Sequence, residues 1–277
     1  MTTSFSESAR IYPGGDPYPQ IIHPEPVSGP FTIRHARLGD VFAVLAEGTK
    51  DWLACRTDIL VLAVIYPLAA LLLIGVVIDQ DLLPFAFPVC AGLALLGPLA
   101  TIWFAALSRQ RERDGVATAD SAGAIFDSSR RGSIKRLGLL LIGLFALWIV
   151  TAAYIHAVTL GTAPAKGGFF SRVFATPAGH EMIFFGVLAG AVFALFALAV
   201  GLVGFQLALD REISAREAVL VSVRASLANP GVALLWGGVI VAGLLVGALP
   251  GLLGLAVTIP ILGHASWHLY RRLISGY

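Results

Sequence analysis

The most constraining feature of the sequence is a series of long apolar runs that contain no Lys, Arg, Asp or Glu. Each run is long enough for a helix of about 20 residues to cross the hydrocarbon core of a bilayer. Only 13% of the 277 residues are charged and 57% are hydrophobic, whereas soluble domains have about 25% charged and about 45–50% apolar residues. The chain is therefore predicted to be an all-α polytopic membrane protein, and a soluble enzyme is excluded.

Six transmembrane helices are predicted from these runs. The last run, residues 231–263, is too long for one span and is divided at Pro250, where a Pro-Gly pair favours a tight turn. The predicted spans are residues 59–78, 82–107, 137–160, 182–209, 232–249 and 252–269. Residues 38–277 are thus assigned to one integral membrane domain.

Residues 1–37 are predicted to form a disordered, Pro-rich cytoplasmic tail. Six of the 15 prolines of the chain lie in this segment. Proline has no backbone N–H and interrupts helices, and a polar segment of this composition cannot bury enough apolar surface to form a core.

Two amphipathic helices are predicted to lie at the membrane interface. Residues 38–56 carry apolar side chains at helical spacing between charged ones. These side chains are Leu38, Val41, Phe42, Leu45, Trp52 and Leu53. The second helix follows a capping box at residues 214–217 and ends at Asn229, which precedes a proline. Its apolar side chains are Ile213, Leu220, Val223 and Leu227.

The distribution of basic residues predicts the orientation. Of the 19 Lys and Arg residues, five precede the first span, seven lie between the second and third, three between the fourth and fifth, and two after the sixth. These 17 residues share one side, and cytoplasmic loops of membrane proteins carry the excess of Lys and Arg. Both termini are therefore predicted to be cytoplasmic, and the protein is expected in the bacterial inner membrane.

One pair of histidines is a candidate for metal or haem binding. His264 and His268 are four residues apart and share a helix face. The alternative is a polar helix end, in which Trp267, Tyr270 and Arg271 anchor the last span at the lipid headgroups.

A second group of polar residues is expected near the opposite face of the membrane. His156, His180 and Glu181 offer imidazole and carboxylate ligands that suit a divalent cation. The alternative is that these three side chains are simply solvated loop ends.

No catalytic constellation is found among the motifs of the chain, so no enzymatic activity and no cofactor are expected. The predicted spans have no charged residue in their interiors, which argues against ion-coupled transport. Asp210 is expected at a membrane edge, where hydration of a carboxylate costs little.

Three segments resemble an uncharacterised family of bacterial six-helix integral membrane proteins, some of which carry a cytochrome c oxidase subunit I label. They are residues 45–51 with their Leu-x-x-Gly-x-x-Asp pattern, residues 209–236, and residues 260–271. The resemblance covers about residues 38–274 and implies a six-helix fold without an agreed activity. The matching positions are Gly48, Asp51, Asp210, Arg211, Ser222, Asn229, Pro260, Gly263, His264, Trp267, His268, Tyr270 and Arg271.

The oxidase label conflicts with the histidines of the chain. A catalytic oxidase subunit ligates two haems and a copper ion chiefly through intramembrane histidines. This chain has six histidines, and two of them, His23 and His35, fall in the predicted tail. A catalytic oxidase role is therefore rejected.

The sequence favours a non-enzymatic inner-membrane protein that organises lipid or partner proteins at its cytoplasmic face. Basic interfacial segments attract anionic lipid, whereas a net charge of +2 does not suggest nucleic acid. Two other functions stay open: an accessory or assembly factor of a respiratory oxidase, and a passive permease for small neutral or apolar solutes.

Overall fold

The computed structural model describes residues 32–55, 84, 86–118, 123, 129–161, 168–250 and 252–276. Within these ranges the chain forms eleven helices and one two-stranded sheet. In chain order they are β1 Thr32–Ile33, α1 Leu38–Ala54, α2 Ala86–Leu95, α3 Gly97–Ala100, α4 Ile102–Asp114, α5 Arg131–Val158, α6 Phe169–Ala175, α7 Pro177–Gly201, α8 Gly204–Asp210, α9 Ala215–Ala228, α10 Pro230–Ala248, α11 Leu255–Leu273 and β2 Ile274–Ser275. The predicted all-α class is confirmed, apart from this short sheet.

Three helical segments of the described residues are long and apolar enough to cross a membrane. They are α5, the α7–α8 segment Pro177–Asp210, and α10. Their surfaces expose large apolar side chains such as Leu147, Phe184, Phe196 and Leu245. Exposed apolar surface of this extent is typical of contact with lipid. The first predicted span, residues 59–78, lies outside the described residues, and the count of six stays a prediction.

The predicted span at residues 82–107 is not one continuous helix. Turns at Leu96 and Thr101 separate α2, α3 and α4. Pro98 is the second residue of α3. A proline has no N–H to donate to the preceding turn, so it is accommodated at the start of a new helix rather than inside a long one.

The predicted span at residues 182–209 is also interrupted, by a turn at residues 202–203 between α7 and α8. Ser222 of α9 stabilises this turn. Its hydroxyl accepts a 3.2 Å hydrogen bond from Val203 N and donates a 2.8 Å bond to Ala199 O. The side chain thus satisfies backbone groups that the break leaves without helical partners.

Helix α11 lies at the centre of one end of the bundle. It packs against α1, α4, α8 and α10, and its contact with α1 is the most extensive. Gly48 and Gly263 allow the close approaches. A Cβ at Gly48 would lie 2.6 Å from Ala265 N, and a Cβ at Gly263 would lie 2.7 Å from Phe104 Cβ. These two glycines therefore permit α11 to touch α1 and α4 directly.

The two ends of the described chain lie side by side. Strands β1 and β2 pair antiparallel, with Ile33 opposite Ile274. Asn229 extends the junction: its Oδ1 accepts from Ala36 N at 2.9 Å and its Nδ2 donates to Arg34 O at 3.0 Å. Residues 32–36, predicted to be disordered, are thus ordered, because they gain backbone hydrogen bonds that the sequence pattern does not reveal.

The two predicted amphipathic helices are present as α1 and α9. On α9 the buried side chains are mostly small ones, including Ala218 and Ala225, while Leu220 and Leu227 are exposed. On α1, Val41 is buried against the bundle and Phe42 is exposed. In a membrane, small residues permit close helix packing and large apolar residues face lipid, which reverses the pattern of soluble proteins.

Candidate functional site

The candidate site is a set of buried polar side chains at the end of the bundle where α1, α4, α8 and α11 meet. Asp51 ends the buried face of α1, Ser108 and Arg109 lie on α4, and His264 lies on α11; all four are buried. Buried polar groups are stable only when they are hydrogen-bonded, so their partners define what this region can do.

The Asp51 carboxylate is the centre of the site. Its Oδ2 accepts hydrogen bonds from Ser108 Oγ at 2.5 Å and from His268 Nε2 at 2.8 Å. Its Oδ1 accepts a 2.6 Å bond from Arg111 Nη1. A single α1 carboxylate thus joins two side chains of α4 to one of α11.

The ionised form of Asp51 is favoured by these partners. Burial alone would raise its pKa, but the hydrogen bond and charge of His268, the Ser108 hydrogen bond and the charge of His264 together hold the pKa below the ordinary value of 3.8. Asp51 therefore carries a negative charge at neutral pH.

Ser108 connects Asp51 to His264. The His264 Nδ1 lies 2.8 Å from Ser108 Oγ, whose proton is donated to Asp51, so the hydroxyl oxygen accepts from Nδ1. In a hydrolase triad the histidine lies between the serine and the carboxylate. Here the serine is in the middle and has no exposed surface, so this order favours a structural bridge over a nucleophile.

His268 lies between two carboxylates of α1. Its Nε2 contacts Asp51, and its Nδ1 lies 3.6 Å from Glu47 Oε2. One turn further along α11, Arg272 pairs with Glu47 Oε1 at 2.5 Å and with Asp40 Oδ1 at 3.3 Å. The α1–α11 contact is therefore lined by opposite charges along its length.

A second carboxylate, the half-buried Asp210, joins α4, α8 and α11. Its Oδ1 accepts a 3.0 Å bond from Arg109 Nε, and its Oδ2 accepts a 2.8 Å bond from the Tyr270 hydroxyl. Arg211 Nε lies 3.4 Å from the same Oδ2. Asp210 is thus held by protein partners and only partly hydrated, and its position at a membrane edge stays a prediction.

Glu112 of α4 forms a third polar junction with α11. Its Oε2 accepts a 2.7 Å bond from Trp267 Nε1, and its Oε1 accepts a 2.9 Å bond from Arg271 Nε. Trp267 and Tyr270 are 2% and 1% exposed. The interpretation of these aromatic residues as headgroup anchors is therefore wrong, since both pack inside the bundle and use their polar atoms on carboxylates.

The positions that carry the family resemblance have two roles in the structure. Asp51, Asp210, Arg211, His264, Trp267, His268, Tyr270 and Arg271 belong to the polar site, whereas Gly48, Ser222, Asn229, Pro260 and Gly263 shape the backbone around it. Pro260 is buried inside α11, at the start of its buried half. Residues quoted from three separate segments thus converge on one end of the bundle.

The histidines proposed as metal ligands are placed differently from that hypothesis. His264 and His268 face hydroxyl and carboxylate partners, as described above. His180 Nε2 lies 2.9 Å from Phe174 O, Glu181 is exposed, and His156 is half-buried on α5. Among the described ranges, no group of three or more His, Cys, Asp or Glu side chains is arranged to hold a metal ion.

Four residues of the site are not predicted from the sequence: Ser108, Arg109, Arg111 and Glu112. The signal that the sequence offers for them is a run of charged residues directly after an apolar stretch, and this pattern indicates orientation rather than a site. Their spacing on α4 places Ser108, Arg111 and Glu112 within one helical turn, so they can face α1 and α11 together.

Comparison with known proteins gives one match. Residues 86–210, slightly less than half of the chain, match the model of a family described as "Predicted integral membrane protein (DUF2189)", so this region is similar to a family of integral membrane proteins of unknown function. The match ends at the beginning of the second resembling segment and does not include residues 45–51 or 260–271. No curated protein and no solved structure matches the chain.

Proposed function

We propose that this protein, in which residues 86–210 match the DUF2189 model, is a member of that family and a non-enzymatic, six-span protein of the bacterial inner membrane. Its cytoplasmic end holds anionic lipid and, through that surface, organises lipids or partner proteins. One observation carries the proposal: the polar residues at this end form two groups. The residues of the candidate site pair with one another inside the bundle. Other basic side chains are exposed, and exposed apolar side chains lie beside them.

The internal pairing argues for a structural use of the buried site. Asp51 accepts three hydrogen bonds and Asp210 pairs with Arg109 and Tyr270, so both carboxylates are already satisfied. Ser108 is fully buried with its hydroxyl engaged. A catalytic group needs a free face toward a substrate, and these groups use their faces to hold helices together.

The shared location of several chain segments supports the proposed topology. β1 and β2 pair, Asn229 holds residues 34–36, and Asp51 bonds to the end of α4. The segments before the first span, after the second, after the fourth and after the last are all predicted to be on one side. Their contacts agree with that arrangement, and their basic residues favour the cytoplasm.

The exposed basic residues at this end support a preference for anionic lipid. They include Lys50, Arg113, Arg131, Lys135, Arg136, Arg216 and Arg224. On α9, Arg216 and Leu220 are four residues apart and Arg224 and Leu227 are three apart, so each pair shares a helix face. Both leucines are exposed. A leucine in the acyl boundary beside an arginine at the headgroup is the arrangement of an interfacial helix.

The test is lipid selection by the purified protein. Wild-type protein in nanodiscs of phosphatidylcholine with a minority of phosphatidylglycerol is analysed by native mass spectrometry for retained lipids. The double variant Arg216→Gln/Arg224→Gln removes two surface charges, each worth about 1 kcal/mol toward anionic lipid. We expect this variant to lose most of the enrichment in phosphatidylglycerol.

The matched control is Arg216→Lys/Arg224→Lys, which keeps both charges and is expected to keep the enrichment. Equal retention of the two lipids by wild-type protein would contradict the lipid proposal. An enrichment that survives the glutamine variant would contradict the assignment to α9.

A further inference from the structure

The contact between α1 and α11 is lined by six side chains that we name the charged seam: Asp40, Glu47, Asp51, Arg111, His268 and Arg272. The three carboxylates lie on α1 with spacings of seven and four residues, which places them along one helix face. The helices run antiparallel, so the first carboxylate meets Arg272 and the last meets His268.

The balance of charge in this seam depends on His268. Three carboxylates face two arginines, Arg111 and Arg272, which are cationic at all ordinary pH values. A neutral His268 leaves one negative charge in excess, and a protonated His268 makes the seam neutral. Both of its ring nitrogens face a carboxylate, and both nitrogens of imidazolium carry protons.

Among the described residues, one other imidazole acts on the seam. His264 Nδ1 is bonded to the Ser108 hydroxyl, which in turn bonds to Asp51, and the charge of His264 also acts on Asp51. The variants of His268 leave His264 in place, so their comparison isolates His268. Helix α10 also packs against α1 and α11 and contains no titratable residue. From α4, the charged side chain that reaches the seam is Arg111.

We propose that the charged seam is a pH-sensitive clamp, which holds α1 tightly on α11 when His268 is protonated and loosens when the proton is lost. Histidine is the side chain whose charge ordinarily changes between about pH 5 and 8. Loosening acts on the helix that carries the exposed Phe42 and Lys50.

Close packing makes this contact responsive to a single charge. Gly48 lies between Glu47 and Asp51 in the seam and brings α1 against the α11 backbone. The His268 and Asp51 side chains are 20% and 11% exposed, so water screens their interaction only in part. The loss of one proton therefore acts at the point where the two helices are closest.

The experiment is hydrogen–deuterium exchange of the full-length protein in neutral detergent, read out on the peptide that covers α1, at about pH 5.5 and about pH 8.5. Wild-type protein is compared with His268→Lys, which keeps a positive charge at both values, and with His268→Asn, which has none. Comparison at the same pH cancels intrinsic exchange rates, because the α1 sequence is identical in all three proteins.

At the lower pH, we expect the protection of α1 against exchange to be the same in wild-type protein and in His268→Lys. At the higher pH, the protection in wild-type protein should be roughly fivefold lower than in His268→Lys, which is the upper range for a partly exposed ion pair. Wild-type protein should then resemble His268→Asn. His180→Asn, a change at a histidine outside the seam, should leave the exchange profile of α1 unchanged.

A ratio of α1 protection between wild-type protein and His268→Lys that is the same at both pH values would overturn the clamp. This holds even if the asparagine variant does not fold. The measurement contains no added lipid, so its outcome is independent of the lipid proposal.

Discussion

Asp51 of α1 accepts a 2.8 Å hydrogen bond from His268 of α11, although 217 residues separate them in the chain. The first helix of the described chain is thus held by the last one through a buried carboxylate. Ser108 and Arg111 bind the same carboxylate from α4, so three helices depend on one side chain. This dependence makes the site testable by single substitutions.

Asp51→Asn is expected to destabilise the protein strongly. The amide removes the negative charge, leaves Arg111 and His268 without their common partner, and presents an N–H₂ group where acceptors are needed. Breaking a buried ion pair by removing one member costs about 3–5 kcal/mol, and the partial exposure of Arg111 places this case at the lower end. Thermal unfolding in detergent measures the effect. Asp114→Asn, an exposed change at the end of α4, is the matched control, and an equal shift for both variants would contradict the role of Asp51.

Acid should weaken the protein through Asp51. The pKa of this carboxyl is lower in the folded state than its ordinary value of 3.8, so its contribution is complete above that value and is lost as pH falls through the lower folded-state pKa. The difference in unfolding free energy between wild type and Asp51→Asn should therefore shrink as the pH falls below about 4. Denaturant titrations at several pH values measure it. A difference that stays level through the acid range would show that Asp51 is not the titrating group.

Gly48→Ala is expected to separate α1 from α11. The added Cβ would lie 2.6 Å from Ala265 N and 2.7 Å from Ile261 O, and these backbone atoms cannot move without displacing α11. Overpacking of this kind costs about 1–3 kcal/mol. The control is Gly39→Ala on the same helix, where the added Cβ has open space and alanine improves helix propensity. Thermal unfolding should show a loss for Gly48→Ala and no loss for Gly39→Ala, and a harmless Gly48→Ala would contradict the close contact.

Local features of the helices could be predicted from the sequence. Helix α9 follows the Ser214 cap and ends before Pro230, and α1 starts at Leu38, because caps and helical periodicity act within a few residues. The breaks at Leu96 and residues 202–203 were missed. The second one is stabilised by Ser222, which lies about 20 positions later and gives no local signal.

The partners of the site residues could not be predicted in the same way. The resemblance marked Asp51 and His268 as matching positions, but contact between them depends on how α1 and α11 pack. For His264 and His268, the sequence allows metal or haem ligation or a polar, interfacial helix end, and neither alternative includes burial by other helices. The partners of Asp210 are hidden for the same reason, since a position near the end of an apolar run does not reveal Arg109 and Tyr270 beside it.

The central claim is that the end of the bundle carrying the polar site faces the cytoplasm. The most direct measurement is a pair of fusions after Tyr277, one to alkaline phosphatase and one to green fluorescent protein, expressed in a bacterium. The pairing of β1 with β2 places the C-terminal segment at this end of the bundle. The account predicts a fluorescent fusion and an inactive phosphatase fusion. An active phosphatase with no fluorescence would contradict it.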